Sequence, residues 1–524
     1  MSSRLLLSCE DSKALDLEAQ NQWCFNVFSL IEAAGRNCAQ VFTAAFPELF
    51  INHPRVTIAS GTGNNGADGM VMLRYWLLSG LTDASNSTLV LKRMPKSGET
   101  APWIDLLRSL EKMKVKIISW ENINASPDLD DIFSKSDIII DGIAGTGLSG
   151  PLKDGAAEMA AAINSISKNK SNRPFVVSLD IPSGISDPWE PGMPIIKADI
   201  TLAVEPQKYC VFTPAARPYA GTILPVTGIF PGDLINSYKG AQLLNWESES
   251  KKIPKVKAES YKHERGVVEI HAGSIGATGA AIIASRGAQA SGAGLVRLVV
   301  DNEIHSIIAS SSSGVMVIPT GSGSSDKLMQ DSDAILLGPG WGNSQERVKV
   351  LENAIISEKN GTAIILDADA IELAKGKTFN GNTILTPHPG EFNRFTGIDK
   401  QELLKSPIPI LQKYSRLCNA IIVFKSHVII IAAPDGRLGI LDGMFPGLAT
   451  GGSGDLLSGF CAAIAARMNR EKANFDAYNC AAAAAALLIR SGEILKNRFT
   501  DPLEVAGIAA DLAGCIWLSG KDYE

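Results

Sequence analysis

The feature that most restricts this chain is a recurring unit: a short, largely apolar run that ends abruptly in glycine or aspartate. Val56–Ser60 runs into Gly61, Ile138-Ile139-Ile140 into Asp141, and Val176-Val177-Ser178-Leu179 into Asp180. Farther on, Ala334–Leu337 runs into Gly338 and Ala363–Leu366 into Asp367. Runs this apolar suit strands buried on both faces of a parallel sheet. The intervening segments carry helical periodicity. Leu30, Ile31, Ala34, Cys38, Val41 and Phe42 fall on one face, and Ser29 with Glu32 is predicted to open that helix. Further strands are predicted at Thr88–Lys92, Lys114–Ile118, Asp137–Asp141 and Phe175–Leu179, then at Gly266–His271, Leu295–Val300 and Ile421–Phe424. Alternating β and α elements imply α/β folding with right-handed crossovers.

A chain of 524 residues exceeds one ordinary core. The alternation lapses into polar, Pro-containing sequence after Asn236. This predicts a first domain over 1–235, a linker over 236–262 and a second domain over 263–524. In the second domain Pro434-Asp435-Gly436 marks a hairpin turn, and the Ala-rich Phe460–Met468 and Ala481–Leu488 read as tightly packed helices.

Composition narrows the class. The net charge of -6 argues against nucleic-acid binding, which requires a concentrated basic face. Lys251, Lys252, Lys255 and Lys257 read as a solvated linker. The eight cysteines show no CxxC pair and no His/Cys metal spacing, which fits a reducing cytoplasm. Leu5-Leu6-Leu7-Ser8-Cys9 faintly suggests a lipoprotein site, but its apolar stretch is too short and meets Glu10-Asp11. No segment has the apolar length to span a bilayer, so a soluble, cytoplasmic protein without membrane partners is expected.

Gly61-Thr62-Gly63-Asn64-Asn65-Gly66 satisfies GxGxxG between a strand and a helix. Gly145-Thr146-Gly147-Leu148-Ser149-Gly150 satisfies it again, and both cannot be the first turn of one dinucleotide fold. The strand after the first match ends in Lys92-Arg93 rather than an acidic residue. A basic pair there suits a 2′-phosphate, so an NADP-linked dehydrogenase stays open at this point. Asp141 and Asp180, each at a strand end, and the polar Asn64, Asn65 and Asp68 would converge at the crevice of a doubly wound sheet.

Three motifs carry a resemblance. Gly63-Asn64-Asn65-Gly66-Ala67-Asp68-Gly69, Asp141-Gly142-Ile143-Ala144-Gly145 through Pro151, and Asp180-Ile181-Pro182-Ser183-Gly184 resemble the NAD(P)H-hydrate epimerase family. The likeness runs from about Leu30 to Pro231 and takes in Ala198-Asp199-Ile200-Thr201 and Gln207-Lys208. It implies a Rossmann-like three-layer α/β/α domain. It also implies that Asn64, Asn65, Gly66, Ala67 and Asp68, with Gly145, Thr146, Gly147, Leu148, Ser149, Gly150 and Pro151, hold the hydrated nucleotide. By the same resemblance Asn65, Asp141 and Ser183 coordinate potassium, and Asp180 is both substrate contact and catalytic acid/base. Ala67 stands where the family usually has a second glycine. If that position required positive φ, its Cβ would introduce strain.

In the second half, Gly338-Pro339-Gly340-Trp341-Gly342 follows an apolar strand as a backbone platform, and His388 is flanked by two prolines. Ala449-Thr450-Gly451-Gly452-Ser453-Gly454-Asp455 opens a helix. Successive amides at a helix start make an anion site, with Asp455 as a potential base. This ending resembles the ribokinase-like superfamily. Thr386-Pro387-His388-Pro389-Gly390-Glu391-Phe392, Leu366-Asp367-Ala368-Asp369-Ala370, Gly276-Ala277-Thr278-Gly279-Ala280 and Ser291-Gly292-Ala293-Gly294-Leu295 are similar to the ADP/ATP-dependent NAD(P)H-hydrate dehydratases.

That resemblance implies that Ala280, Gly342, His388 and Asp455 contact substrate, Asp455 being catalytic. Lys425, Ser426, His427, Val428, Ile429 and Gly454 then contact nucleotide, with Mg2+ bound to the phosphates of ADP or ATP. The family pattern Lys-Gly-x-x-Thr is here Lys425-Ser426-His427-Val428-Ile429, and His271 replaces a more usual glycine. Epimerase followed by dehydratase is a known fusion and implies a bifunctional repair enzyme, ADP-dependent by analogy with bacterial relatives. Homo-oligomers, tetrameric or larger, are implied in the same way. Two alternatives remain at this point: a vitamin- or sugar-type kinase on an NAD(P)-binding module, and a degenerate dehydratase domain kept for binding.

Overall fold

Apolar runs become strands, in several cases to the residue: Phe175–Leu179, Leu295–Val300, Ala334–Leu337, Ala363–Leu366 and Ile421–Phe424 form as predicted. The computed structural model describes residues 4–122, 129–166, 173–187, 189–256, 259–321, 329–470, 475–495 and 501–517. It divides into two units, one over Leu5–Gly240 and one beginning at Ala241.

The first unit holds a seven-stranded parallel sheet. Its spatial order is Lys116–Ser119, Ser87–Leu91, Val56–Ser60, Ile138–Gly142, Phe175–Leu179, Ile200–Val204, Thr222–Val226. The chain winds outward from Val56–Ser60 in one direction, then crosses back to Ile138–Gly142 and winds outward in the other. The direction of winding therefore switches between those two strands, and ligands bind such sheets outside the carboxyl ends at that switch. Helices Val27–Ala45, Asn64–Leu78, Pro102–Lys112 and Asp154–Ser165 accompany the sheet, and Phe42, Phe50 and Trp76 cluster in the core with ring centroids 4.9 to 6.1 Å apart.

Two local expectations change, and a third stretch, dismissed as a lipoprotein site, proves to be part of the fold. Asn26, not Ser29, opens Val27–Ala45: its Oδ1 accepts from the Phe28 amide at 2.8 Å, while Ser29 donates to the Asn26 carbonyl from inside the first turn. Asn64–Gly69, expected within a glycine loop, forms the first turns of helix Asn64–Leu78. The Leu5–Cys9 stretch becomes structure: Leu6 and Leu7 pair in parallel with Gln207 and Lys208, and Cys9 begins a helix capped by Ser8.

The second unit repeats the switch. Met316–Pro319, Leu295–Val300, Val267–His271, Ala334–Leu337, Ala363–Leu366, Thr383–Leu385 and Ile421–Phe424 lie parallel in that order. Winding reverses between Val267–His271 and Ala334–Leu337. Val428–Ala432 and Leu438–Asp442 then continue antiparallel, with the predicted Pro434-Asp435-Gly436 inside their turn. The Ala-rich segments lie within helices Ser453–Arg470 and Ala477–Ile494. Small residues let helices Ser453–Arg470 and Thr278–Ala290 touch: a Cβ on Gly459 would collide with the Ala284 carbonyl.

The polar stretch expected as a linker over 236–262 carries ordered structure. Ala241–Leu243 pairs in parallel with Leu438–Asp442, and Trp246–Glu249 is helical. Leu244, Trp246 and Ile253 are buried in the second core. These anchors are too widely spaced to register as a pattern. Lys252 pairs with Glu249 at 2.8 Å, and Lys257 lies outside the described residues. Among the described residues, no helix is long and apolar enough to cross a membrane.

Candidate active sites

A cleft of about 780 Å³ opens at the first unit's switch point. Its wall is the amino end of helix Asn64–Leu78, capped by Gly63, where unpaired amides and the helix dipole favour an anionic ligand. Gly66 is there by necessity, because a Cβ would collide with Ser60 Oγ and lie 2.5 Å from the Gly61 carbonyl. Ala67 is helical with ordinary negative φ, so its methyl introduces no strain. The second glycine loop packs on the first: a Cβ on Gly145 would come 3.2 Å from the Asn65 side chain.

Asp180 occupies the floor. Its φ of +64° is strained for a residue with a Cβ, a conformation that persists only when its surroundings hold it. Lys208 Nζ grips its Oδ1 at 2.7 Å, the lysine side chain only 4% exposed. Two further carboxylates face this lysine. Burial, reinforced by Asp180 and Asp16, pushes Asp68 well above the usual carboxylate range, with Lys208 opposing. Burial likewise raises Asp16, opposed by Gln20 and Lys208. Asp68 Oδ1 is buried without a partner, although the residue as a whole keeps some exposure.

Beneath the cleft Asp141 is fully buried. Its carboxylate accepts from Ser178 Oγ at 2.7 Å, Ser183 Oγ at 2.5 Å and the Ser183 amide at 2.9 Å. Burial raises its pKa and these hydrogen bonds oppose the rise. Both polar atoms of the neighbouring Asn65 side chain are buried without partners. A buried carboxylate beside an unsatisfied amide oxygen is a donor set that suits a desolvated hard cation.

In the second unit the carboxyl ends of the parallel strands gather Asp367, Thr386–Glu391 and Lys425. Lys425 Nζ donates to Asp367 Oδ1 at 2.6 Å and lies 3.6 Å from Glu391 Oε2. Burial pulls this lysine down, and the two carboxylates more than offset it. Thr386 Oγ1 also donates to Asp367 Oδ1, at 2.8 Å. A Cβ on Gly454 would lie 3.1 Å from Lys425 Nζ, so the lysine sits against the glycine-rich helix start. Asp455, in that helix's first turn, has its carboxyl pushed up to about 7 by burial and by Asp367 and Glu391, against the pull of Lys425.

His388 caps helix Pro389–Thr396. Its Nδ1 accepts from the Gly390 and Glu391 amides at 2.9 and 3.3 Å, which places the proton on Nε2, 3.2 Å from Glu391 Oε1. Burial, with Lys425 and Arg394, lowers its pKa, so the ring is neutral at pH 7. Gly342 donates to Asp369 Oδ2 at 2.7 Å, and a Cβ on Gly340 would lie 2.9 Å from the Ala280 methyl.

Both halves match known families. Residues 268–508 match the family described as NAD(P)H-hydrate dehydratase, and residues 27–210 the family described as YjeF-related protein N-terminus. A protein of Coxiella burnetii named bifunctional NAD(P)H-hydrate repair enzyme Nnr is 27% identical over 84% of this chain and 86% of its own. A protein of the same name from Moorella thermoacetica is 28% identical over 88% of each chain. The chain carries the domains of both families over most of its length, in one polypeptide as these bifunctional NAD(P)H-hydrate repair enzymes do. Among solved structures, the ADP/ATP-dependent NAD(P)H-hydrate dehydratase from Bacillus subtilis co-crystallized with ATP/Mg2+ is 26% identical, with a TM-score of 0.45 over 52% of this chain and 97% of that one.

Of the residues that the repair-family resemblance implicates in the first half, Asn64, Asn65, Gly66, Asp68, Gly145, Thr146, Gly147, Leu148, Ser149, Pro151 and Asp180 line one cleft. Ala67 lies buried in the helix behind it, and Gly150 turns the same loop at φ +132°. In the second half, Val428 and Ile429 are buried strand residues, so only their backbone is available to a nucleotide. Ser426 Oγ is occupied in a turn with the backbone of Val428. Lys208, Asp16 and the Asp367–Lys425–Glu391 cluster had no assigned electrostatic role from sequence. A buried lysine in Gln207-Lys208 carries no local signature; only the fold reveals its partner.

Proposed function

We propose that the two halves act in turn on hydrated NAD(P)H, the first interconverting its (R) and (S) epimers and the second dehydrating the (S) form with ADP. The observation that carries this reading is that each half sets an aspartate in the field of a lysine where its strands end: Asp180 paired with Lys208 at 2.7 Å, and Asp455 under the charge of Lys425. In the first half residues Asn64–Asp68, with the amides of Asn64–Gly66 at the helix start, and the loop Gly145–Pro151 bind the nucleotide. Asp180 takes the proton of the ring hydroxyl as that oxygen's electrons form a carbonyl and the ring C–N bond breaks, and it returns the proton when the nitrogen re-adds to the other face, so that the carbon inverts; Lys208 holds the carboxylate in place through its 2.7 Å ion pair. Asn65, Asp141 and Ser183 would hold potassium, which supplies the positive charge that the buried Asp141 lacks among the described residues.

In the second half Asp455 takes the proton of the substrate hydroxyl as that oxygen attacks the terminal phosphorus of ADP. The bond to AMP breaks, and the new phosphate ester then leaves as inorganic phosphate while the adjacent ring carbon gives up a proton to solvent, restoring the dihydronicotinamide. Phosphorylation turns a poor leaving group into a good one, which is why a nucleotide is needed. The Gly451–Gly454 amides bind the phosphoryl oxygens. Asp367 and Glu391 offer oxygen donors where Mg2+ would accompany the phosphates and neutralise their charge. A cytoplasmic homo-oligomer that uses ADP in preference to ATP belongs to the same reading.

The test follows reduced-nicotinamide absorbance from (S)-NADH hydrate with ADP, together with the phosphorus products. Recovery with release of AMP and inorganic phosphate supports the proposal. A stable phosphorylated product points to a kinase instead. No recovery, and no thermal stabilisation by ADP, points to a domain that no longer binds nucleotide.

A further inference from the structure

Three side chains from distant parts of the first unit meet outside its cleft. Cys9 begins the helix Cys9–Asn21, Asp187 lies in the loop after strand Phe175–Leu179, and Cys210 sits two residues beyond Lys208. The two sulfurs stand 3.6 Å apart, and with a carboxylate oxygen of Asp187 the three ligand atoms all lie within 4.8 Å of one another. Among the described residues this is the one group of His, Cys, Asp and Glu side chains gathered so closely. Both cysteines are buried.

The spacing discriminates between two uses of a thiol pair. A disulfide requires sulfurs about 2.05 Å apart. Two thiolates on one tetrahedral ion, with metal–sulfur bonds of about 2.3 Å, stand about 3.8 Å apart. The observed 3.6 Å, a thiol–thiol hydrogen-bond contact in the metal-free protein, rules out a formed disulfide and lies close to the second value. The carboxylate is also held ready: its two oxygens accept from the Cys9 amide at 3.1 and 2.8 Å, and Oδ2 accepts from the Glu10 amide at 3.4 Å. Hydrogen bonds of this kind orient a ligating carboxylate while leaving it lone pairs for the metal.

We propose that Cys9, Cys210 and Asp187 form a site for a thiophilic divalent cation of the zinc type. Two thiol protons leave to solvent as the ion enters, and water completes a four-coordinate shell. The site has a structural consequence for the neighbouring cleft. Helix Cys9–Asn21 carries Asp16, the loop to Asp187 begins at Asp180, and Cys210 follows Lys208, so one ion would fasten together the three segments that set the charge balance on the cleft floor.

The test uses the whole chain, stripped with chelator under reductant and titrated with Co2+ as a spectroscopic probe. One ion per chain should bind, with a thiolate-to-cobalt charge-transfer band and tetrahedral d–d absorption, and Zn2+ should displace it. The band should vanish in C9A and in C210A, weaken in D187N and remain in C418A, whose thiol belongs to the second unit. Zn2+ should also raise the melting temperature of the wild type and leave that of C9A unchanged. Circular dichroism checks that the variants are folded. Absence of the band in folded wild-type protein overturns the proposal without reference to any variant. So does a band that survives in both cysteine variants, or thiol counting that finds a Cys9–Cys210 disulfide in protein that takes up no metal.

Discussion

At the scale of single residues, each catalytic proposal is a matter of charge in a buried place. The Asp455 carboxyl, raised to about 7, is the base only when deprotonated, so dehydration should accelerate as pH rises through 7 and level off above it. Its sign on stability is opposite. The folded state holds this proton to higher pH than the unfolded chain does, so the contribution is favourable at low pH and is lost as pH rises from about 4 to about 7. Asp455→Asn should lower the dehydration rate by about 10²- to 10⁴-fold, read as ADP-dependent recovery of reduced-nicotinamide absorbance, and flatten that pH profile. A variant that keeps the wild-type slope through pH 7 would assign the base elsewhere. Lys208 gives a separate case. Removing one partner of a buried ion pair costs about 3–5 kcal/mol, because the other charge remains buried. Lys208→Met should therefore destabilise the first unit in urea titration and abolish epimerisation, while (S)-hydrate dehydration persists. Equal loss of both activities would contradict the separate roles.

At the scale of elements, the departure at Ala67 is resolved by the helix that contains it. Ala67→Gly should not rescue anything; replacing a helical alanine with glycine costs about 0.5–1 kcal/mol. Gly66→Ala should cost about 1–3 kcal/mol through overpacking against Ser60 and Gly61. Paired thermal melts of the two variants test this order, and a stabilising Ala67→Gly would revive the strain expectation. The same contrast shows what the sequence discloses. Strands buried on both faces, such as Ala363–Leu366, are written as unbroken apolar runs and were legible to the residue. So were the glycine- and aspartate-rich strand ends that make up most of the first cleft. Helix starts were less so, because Ser29 and Asn26 offer the same capping chemistry three residues apart and only backbone geometry chooses between them. Contacts between distant segments were not legible at all. Lys208 meets Asp180 across 28 residues and Cys9 meets Cys210 across 201, and no spacing rule spans such intervals.

At the scale of the molecule, the parallel strands of each unit reverse their winding once, and each unit gathers charged side chains at its strand ends. Two sites with unlike chemistry on one chain make sense if the second consumes only one form of a substrate that the first can interconvert. A mixture of both NADH-hydrate epimers with ADP separates the two contributions in a single trace. Wild-type enzyme should restore all of the reduced-nicotinamide absorbance. Asp180→Asn should restore the (S) share at the normal rate and then slow to spontaneous epimerisation. Asp455→Asn should restore almost nothing in the time the wild type needs, yet still bring an enriched epimer to equilibrium, as chromatography of the hydrates would show. Full recovery by Asp180→Asn at the wild-type rate would mean that the cleft around Lys208 is not where inversion occurs, or that the second site accepts both epimers. Supplying pure (R)-hydrate to Asp180→Asn decides between those two, because only a dehydratase that accepts both forms would act on it without delay, while inversion elsewhere would show as (S)-hydrate forming when ADP is left out.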